Sequence, residues 1–292
     1  GAIGLVYRLA DTLDGGDGAD RMQGGPGDDL FVVQDTGDIV IEGAQAGTDT
    51  VESSVTFTLE PRIENLTLTG SASIDATGNA AGNTLIGNSA ANTLDGKAGA
   101  DTMRGGQGDD LYVVDDTDDV VEETSGQGTD TIQSSISYTL PAAVEQLELT
   151  GTQDIDATGN GLDNTLIGNA GDNRLDGGSG ADTLIGGDGD DVFLDPDGDT
   201  IEDLQPGDAI ALSGEAGLAG EDVRVQGGEL QVDIDQDGDF TEGDDVAVTL
   251  VGSLEDFLQV RDVGGDAEIG IVAKQPPELS FEVAENVQAA GQ

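Results

Sequence analysis

The 292-residue sequence contains no cysteine, no histidine and no tryptophan, and aromatic residues make up only 3% of it. Without cysteine and histidine the chain cannot form disulfides, thiol- or histidine-based catalytic groups, or the usual zinc sites. Basic residues are also scarce, at 9 against 61 acidic residues, which leaves a formal net charge of −52. This charge repels nucleic acid and anionic membrane surfaces, so cations are the expected partners.

The sequence also lacks the segments that would direct it into a membrane. No apolar run is long enough to span one. Residues 1–10 have neither the basic start nor the apolar core of a signal peptide. We therefore predict no direct membrane insertion. A composition this acidic and this poor in aromatic residues is typical of disordered chains, so we expect disorder until the charge is neutralised.

Glycine is abundant, with 47 residues, and it follows a nine-residue period. Residues 159–194 hold four consecutive units that begin at Gly159, Gly168, Gly177 and Gly186. Each unit has a glycine-rich turn, an aspartate or asparagine at its sixth place and an apolar residue two places later. Glycine permits positive φ and close backbone approach, so these turns expose their carbonyl groups. Carboxylates beside exposed carbonyls form an all-oxygen cage that suits calcium.

The apolar residue two places past the acid or amide keeps its phase in the ten best units, which a solvated acidic linker would not do. We predict that these residues belong to short strands and point inward. They are Met22, Phe31, Leu85, Leu94, Met103, Tyr112, Leu166, Leu175, Leu184 and Phe193. Successive units must reverse the chain, so every second turn should stack on the same edge, with calcium bridging neighbouring turns.

With these units the chain resembles the hemolysin-type RTX calcium-binding proteins, whose nonapeptides form a parallel β-roll. The resemblance implies an all-β fold: a right-handed parallel β-roll or β-helix solenoid with a small C-terminal β cap domain. It further implies several bound Ca²⁺ ions and export by a type I secretion apparatus. The expected location is therefore extracellular or on the cell surface.

We predict that the calcium ligands are the acids, the amides and the turn glycines of these units. The aspartates are Asp20, Asp29, Asp38, Asp101, Asp110, Asp119, Asp130, Asp182 and Asp191. The glycines are Gly78, Gly87, Gly96, Gly99, Gly105, Gly106, Gly108, Gly177, Gly178, Gly180, Gly186, Gly187 and Gly189. The amides are Asn83, Asn92, Asn164 and Asn173. An amide keeps a carbonyl oxygen but lacks the charge, so these four loops are either calcium sites or empty turns held by amide hydrogen bonds.

A longer repeat is superimposed on the short one. Asp20, Asp101 and Asp182 are separated by 81 residues each time. Residues 65–70 return as residues 146–151 at the same separation. A fixed period of short strands and turns indicates a solenoid, in which each coil contacts only its neighbours.

Four regions follow from these patterns. Residues 1–10 are interpreted as the tail of an upstream region, and residues 11–200 as the solenoid. Residues 201–274 are predicted to form the capping β domain, because residues 199–212 resemble the segment that closes the β-rolls of secreted RTX proteases and lipases. Residues 275–292 are interpreted as a linker and the start of a truncated cadherin-like module.

The predicted cap contains a second candidate calcium site in an acidic loop. Its acids follow the EF-hand spacing, with an aspartate in place of the closing glutamate. They are Asp233, Asp235, Asp237, Asp239 and Asp244. Residues 229–235 and 245–252 are predicted strands, so the loop lies in a β setting, and a plain acidic hairpin turn is the alternative.

Catalysis is not expected, although carboxylate pairs abound, because the aromatic platforms and apolar acid pockets of glycosidases are missing. The leading hypothesis is a structural or adhesive module that folds on calcium binding outside the cell. The alternative is the folding and secretion domain of an attached protease, lipase or polysaccharide epimerase, and an inert polyanionic spacer is a third hypothesis. Further modules of the same chain, or neighbouring copies, are the other expected partners.

Overall fold

The computed structural model describes the backbone of residues 10–43, 47–196, 198–205, 207–212, 223–226, 229–232, 246–250, 257–263 and 266–272. Every regular element in these residues is a β-strand. Parallel strands stack into a β-solenoid of about 11 turns, which confirms the predicted all-β solenoid. The right-handed sense of the coil stays a prediction. The described part of the chain holds no helix of the length and apolarity needed to cross a membrane.

Strands are numbered in chain order, and in the solenoid they alternate between two sides. The odd-numbered strands are β1 (Thr12–Asp14), β3 (Leu30–Val33), β5 (Thr50–Ser53), β7 (Asn65–Leu68), β9 (Thr84–Ile86), β11 (Thr102–Arg104), β13 (Val120–Val121), β15 (Tyr138–Thr139), β17 (Ala157–Thr158), β19 (Arg174–Asp176), β21 (Val192–Leu194) and β23 (Ala209–Leu212). The even-numbered strands are β2 (Arg21–Gln23), β4 (Ile39–Ile41), β6 (Phe57–Thr58), β8 (Ala76–Thr77), β10 (Thr93–Asp95), β12 (Leu111–Val114), β14 (Thr131–Ser134), β16 (Gln146–Leu149), β18 (Thr165–Ile167), β20 (Thr183–Ile185) and β22 (Thr200–Ile201). Within β1 to β22, odd strands pair only with odd strands and even strands only with even strands.

The strand register confirms that every second nonapeptide stacks on the same edge. In β10 and β12, Thr93 pairs with Leu111, so one turn contains two nine-residue units. Some turns depart from this length: Leu111 pairs with Thr131 across a longer turn, and Thr131 pairs with Gln146 across a shorter one. The first long repeat has the same changes in turn length as the second, because Leu30, Thr50 and Asn65 are paired in the same way.

The long repeat places equivalent residues on opposite sides of the solenoid. Strands β2, β11 and β20 are equivalent, since each follows one of the aspartates that are 81 residues apart. Each of these strands comes nine strands after the previous one in the chain. Because successive strands alternate between the two sides, an odd offset places equivalent strands on opposite sides. Accordingly β11 belongs to the odd-strand sheet, whereas β2 and β20 belong to even-strand sheets. The three repeats therefore present the same loops alternately on the two edges.

The core is a single column of apolar side chains between the two sides. All ten of the residues predicted to point inward are buried, and the most accessible of them, Met22, is only 5% exposed. Phe31, Tyr112 and Phe193 are the largest of these and are fully buried. Each strand buries alternate residues, as the pattern of Leu111–Val114 shows. This confirms the predicted inward phase.

The solenoid ends in antiparallel strands, which are β24 (Val223–Gln226), β25 (Glu229–Val232), β26 (Val246–Leu250), β27 (Phe257–Val263) and β28 (Asp266–Val272). Strand β26 pairs in parallel with β22 and antiparallel with β25. Strands β25 and β26 occur where the sequence predicts strands beside the acidic loop. The loop itself, with Asp233, Asp235, Asp237, Asp239 and Asp244, lies outside the described residues, as do residues 1–9 and 275–292.

Candidate calcium sites

An acid or amide precedes most strands of the solenoid, and stacking of the turns aligns these side chains in two columns, one along each edge. Within a column, each carboxylate accepts a hydrogen bond from the coil before it. Asp29 Oδ1 accepts the N–H of Asp11 at 2.7 Å, and Asp49 Oδ1 accepts the N–H of Asp29 at 2.8 Å. The same link joins Asp101 to Asn83 at 2.6 Å. We call these two rows the acid columns.

Six aspartates of the acid columns have a second oxygen without a partner. One is Asp49, and the other five are Asp29, Asp101, Asp110, Asp182 and Asp191. Their side chains are buried, yet Oδ2 of each accepts no hydrogen bond. An unpaired charged oxygen in a protein interior carries a large desolvation cost, so this arrangement is unstable unless a cation satisfies it. All of them except Asp49 were predicted as calcium ligands from the sequence.

The free oxygen points across its own glycine loop. A Cβ added at Gly96 would contact Oδ2 of Asp101, and one at Gly105 would contact Oδ2 of Asp110. Gly24, Gly177 and Gly186 stand in the same relation to their aspartates. The first glycine of each unit is therefore needed for space, because any side chain would fill the cradle beside the carboxylate.

The other predicted glycines shape and stack the turns. A Cβ at Gly78 or Gly87 would contact the carbonyl oxygen of the glycine one coil further on, so these glycines allow the turns to lie against each other. The remaining ones have positive φ, which residues with a side chain rarely adopt. They are Gly99, Gly106, Gly108, Gly178, Gly180, Gly187 and Gly189.

Burial raises the pKa of Asp101, Asp110, Asp182 and Asp191, and neighbouring acids raise it further. The pKa rises to about 7 for Asp101 and for Asp110, and to about 6 for Asp191. It is also raised for Asp182, for the same first cause. In the described residues only Lys97 and Arg104 form salt bridges, to Asp95 and Glu122, and these pairs lie outside the acid columns. The columns thus have no positive side chain to neutralise them.

The four asparagine loops are saturated by their own amides. Asn92 Oδ1 accepts the N–H of Asn88 at 2.8 Å, and its Nδ2 donates to the carbonyl of Ile74 at 2.6 Å in the preceding coil. Asn83, Asn164 and Asn173 make equivalent bonds. The geometry favours the second of the two interpretations, a turn held by amide hydrogen bonds, and calcium binding at these loops stays a prediction.

Asp38 and Asp119 differ from the six aspartates because backbone N–H groups occupy both oxygens. Asp119 Oδ1 accepts from Asp101, and Oδ2 accepts from Asp115 and Asp116. In Asp38, burial opposes ionisation but three such N–H bonds outweigh it, so the pKa is lowered. Hydrogen bonds through these two carboxylates link neighbouring coils, and calcium binding at Asp38 and Asp119 stays a prediction. Asp20 donates its N–H to Asp38 at 3.0 Å and is only partly buried.

Two clusters bring three carboxylates together where a turn contains extra residues. Asp29, Glu42 and Asp49 form the first, and Asp110, Glu123 and Asp130 form the second. One carboxylate oxygen of each residue lies within 4.8 Å of the other two in its cluster. Burial, foremost, and neighbouring acids raise the pKa of Asp49 and of Asp130 to about 6.

Sequence reasoning placed Asp29, Asp110 and Asp130 among the ligands but missed Glu42, Asp49 and Glu123. The nine-residue template fails here, because Asp29 and Asp49 are 20 residues apart rather than 18. The signal that could have found them is the long repeat: Glu42 and Glu123 are equivalent, with a separation of 81 residues. Asp203 was missed as well, and it accepts the N–H groups of Gly186 and Gly187 at 2.8 Å each.

The donor set fits calcium. Every side-chain ligand atom that the two clusters offer is a carboxylate oxygen. Ca²⁺ prefers hard oxygen ligands and accepts a variable number of them. The free oxygens are buried and lie near one another or beside the first glycine of their loop. Because Oδ1 of each aspartate is tied to the neighbouring coil, an ion on Oδ2 would join the turns on either side.

Comparison with known families agrees with this chemistry. Residues 9–33, 77–112 and 158–193 match the family model described as RTX calcium-binding nonapeptide repeat (4 copies). The matched segments contain five of the six aspartates with a free oxygen, all except Asp49, and all four asparagine loops. A search of curated proteins gave no match.

Proposed function

This chain carries RTX calcium-binding nonapeptide repeats, and from that premise we propose that calcium switches it from a loose chain to a folded extracellular rod. A calcium-binding repeat module of a secreted protein is what the repeats imply. The finer proposal concerns what the module does there. In our proposal it serves as a structural segment that becomes stiff only where calcium is plentiful, and it catalyses no reaction.

The observation that carries the proposal is the set of six buried, unpartnered Oδ2 atoms in a chain of net charge −52. No basic side chain reaches the acid columns in the described residues, so folding without a cation leaves these charges uncompensated. The free-energy cost of these buried charges arises between stacked turns. Cations that bind there remove the cost and hold successive coils together.

The size of the effect is sufficient for a folding switch. A site whose ion is present at about ten times its Kd stabilises the folded state by roughly 1.4 kcal/mol, and by almost nothing far below Kd. Five such sites contribute on the order of 7 kcal/mol, which is comparable to the net stability of about 5–15 kcal/mol of a typical domain. Calcium alone therefore suffices to move the chain between the two states.

The structural role follows from the geometry of the folded state. About 11 turns, at the strand spacing of about 4.8 Å, give a solenoid roughly 50 Å long. Each coil contacts mainly its neighbours, so such a stack is an elongated unit that can be lengthened by adding repeats. The low calcium of a cell interior would keep the chain loose during export, and higher extracellular calcium would fold it.

The test is a calcium titration of the purified chain followed by circular dichroism and small-angle scattering. In chelator we expect little β-signal and an expanded chain, and in millimolar calcium a β-signal and a rod-like profile. Magnesium serves as the control, because it demands a stricter octahedral geometry and should fold the chain poorly. Equal β-content in chelator and in calcium would refute the proposal.

A further inference from the structure

The two three-carboxylate clusters are equivalent in the long repeat but differ in one neighbouring side chain. We refer to Asp29, Glu42 and Asp49 as the first cluster and to Asp110, Glu123 and Asp130 as the second. The buried aromatic residue that follows the leading aspartate by two places is Phe31 in the first cluster and Tyr112 in the second. The second cluster therefore has one additional side-chain oxygen beside it, that of the Tyr112 phenol.

In the first cluster all three acids present an unsatisfied oxygen. Asp29 Oδ2, Glu42 Oε1 and Asp49 Oδ2 have no hydrogen-bond partner. The side chains are only 2%, 8% and 0% exposed, so water does not compensate them. Three buried, unpartnered carboxylate oxygens within 4.8 Å of one another constitute a built site for a divalent cation.

In the second cluster the phenol of Tyr112 engages the glutamate. Its hydroxyl donates a short hydrogen bond to Oε1 of Glu123 and accepts the N–H of Gly105 at 2.7 Å. The N–H of Gly106 also donates to the same Glu123 oxygen at 3.3 Å. Asp110 Oδ2 is the one oxygen of this cluster left unpartnered and buried. The protein itself thus satisfies part of the charge that a cation would otherwise take.

We propose that the first cluster binds Ca²⁺ more tightly than the second, and that the Tyr112 hydroxyl sets the difference by holding Glu123. This rests on the proposed calcium-dependent folding and assigns the order in which two of its sites fill. Calcium that binds at the second cluster must replace the hydrogen bond between the Tyr112 hydroxyl and Glu123. At the first cluster it binds three oxygens that have no hydrogen-bond partner. Losing one hydrogen bond to a charged group corresponds to an affinity difference of about tenfold.

The first experiment exchanges the two aromatic residues in the full chain. Hydrogen exchange of residues 24–43 and 105–124 is followed as a function of free calcium. Tyr112→Phe should lower the calcium midpoint of residues 105–124 by about tenfold and leave residues 24–43 unchanged. Phe31→Tyr should raise the midpoint of residues 24–43 by a similar factor. Phenylalanine already occupies this place in two of the three repeats, so Tyr112→Phe is expected to fold.

Tyr138→Phe is the matched control, because it removes a phenol oxygen from a side chain outside both clusters. It should shift neither midpoint. A higher midpoint in Tyr112→Phe would show that the hydroxyl is a calcium ligand, which would overturn the proposal, and an unchanged midpoint would do the same. If the wild-type chain shows no calcium-dependent protection at all, the proposed function fails, and not merely this inference.

The second experiment locates the ion with terbium, whose emission is excited by a nearby tyrosine. The chain has no tryptophan and only three tyrosines, so the signal is simple to assign. Tyr112→Phe should abolish most of the sensitised emission, Tyr138→Phe should retain it, and the Phe31→Tyr/Tyr112→Phe double variant should restore it from the first cluster. Emission that survives in Tyr112→Phe at the wild-type level would place no ion at the second cluster and refute the proposal.

Discussion

Loops with an aspartate and loops with an asparagine share one backbone shape, but they differ in how their side-chain polar atoms are satisfied. Asn92 closes its loop with its own amide, since Nδ2 donates to the carbonyl of Ile74 and Oδ1 accepts from Asn88. Asp110, in the next coil on the same edge, has no hydrogen to donate, and its Oδ2 stays unpartnered. One chemical group therefore decides whether a coil is complete by itself or requires a cation.

The two kinds of coil are arranged in a fixed order. Asn83 and Asn92 donate their N–H groups to Asp101 and Asp110, and Asn164 and Asn173 donate to Asp182 and Asp191. Each pair of self-satisfied loops, one on each edge, thus precedes a pair of loops with free carboxylates. We infer that the asparagine coils provide a permanent base on which the calcium-dependent coils order.

The largest expected effect is that of pH on the metal-free chain, because it acts on several buried aspartates at once. Burial raises the pKa of Asp49, Asp130 and Asp191 to about 6 and of Asp101 and Asp110 to about 7. Groups whose pKa is raised on folding stabilise the folded state below their ordinary pKa of about 4, and this stability is lost as pH rises through 6 to 7. In chelator, the β-signal should therefore increase as pH falls from about 7.5 to about 4.

Calcium should reverse that dependence, since protons compete with the ion for the same oxygens. In millimolar calcium, the thermal midpoint is expected to fall as pH decreases over the same range. Circular dichroism with and without chelator checks both slopes. Parallel slopes in the two conditions would contradict the assignment of these carboxylates as the shared proton and calcium sites.

The second effect comes from removing two free carboxylates, in the Asp110→Ala/Asp191→Ala variant. At a calcium concentration of about ten times Kd, two lost sites cost roughly 3 kcal/mol. The calcium midpoint of folding should rise and the stoichiometry measured by calorimetry should fall. Unchanged stoichiometry would mean that these aspartates are not ligands.

A smaller effect, of a different kind, is expected for Asn92→Ala. The variant leaves the carbonyl of Ile74 and the N–H of Asn88 without partners, which costs about 1–3 kcal/mol. The loss should be the same at every calcium concentration, and calcium stoichiometry should not change. Denaturant unfolding at several calcium levels measures it, and a loss confined to high calcium would show that Asn92 is a ligand after all.

The smallest effect is expected for Asp191→Asn, which converts one kind of coil into the other. The variant keeps the side-chain shape and removes a buried charge, so the metal-free chain should gain on the order of 1 kcal/mol. One calcium should be lost from the stoichiometry. Asp119→Asn is the control: both of its oxygens accept backbone N–H groups, so stability should fall without loss of an ion.

The sequence by itself determined the solenoid, its inward-pointing residues and five of the six aspartates with free oxygens. A nine-residue period is a local property: glycine sets the turn, and strand alternation sets which side chain enters the core. Phe31, Met103 and Leu184 are buried for that reason, as their position in the unit predicted. The sequence alone left open whether an amide such as Asn83 binds an ion.

Only the tertiary structure decided which of these groups are satisfied and which residues from different turns meet. Partners in a column come from neighbouring coils, about 18 residues apart, so no single unit shows whether an oxygen is free. Glu42 and Asp49 join Asp29 because a longer turn brings them back to its edge. Asp119 differs from Asp110 because its folded loop turns the N–H groups of Asp115 and Asp116 onto Oδ2, the oxygen that stays free in Asp110.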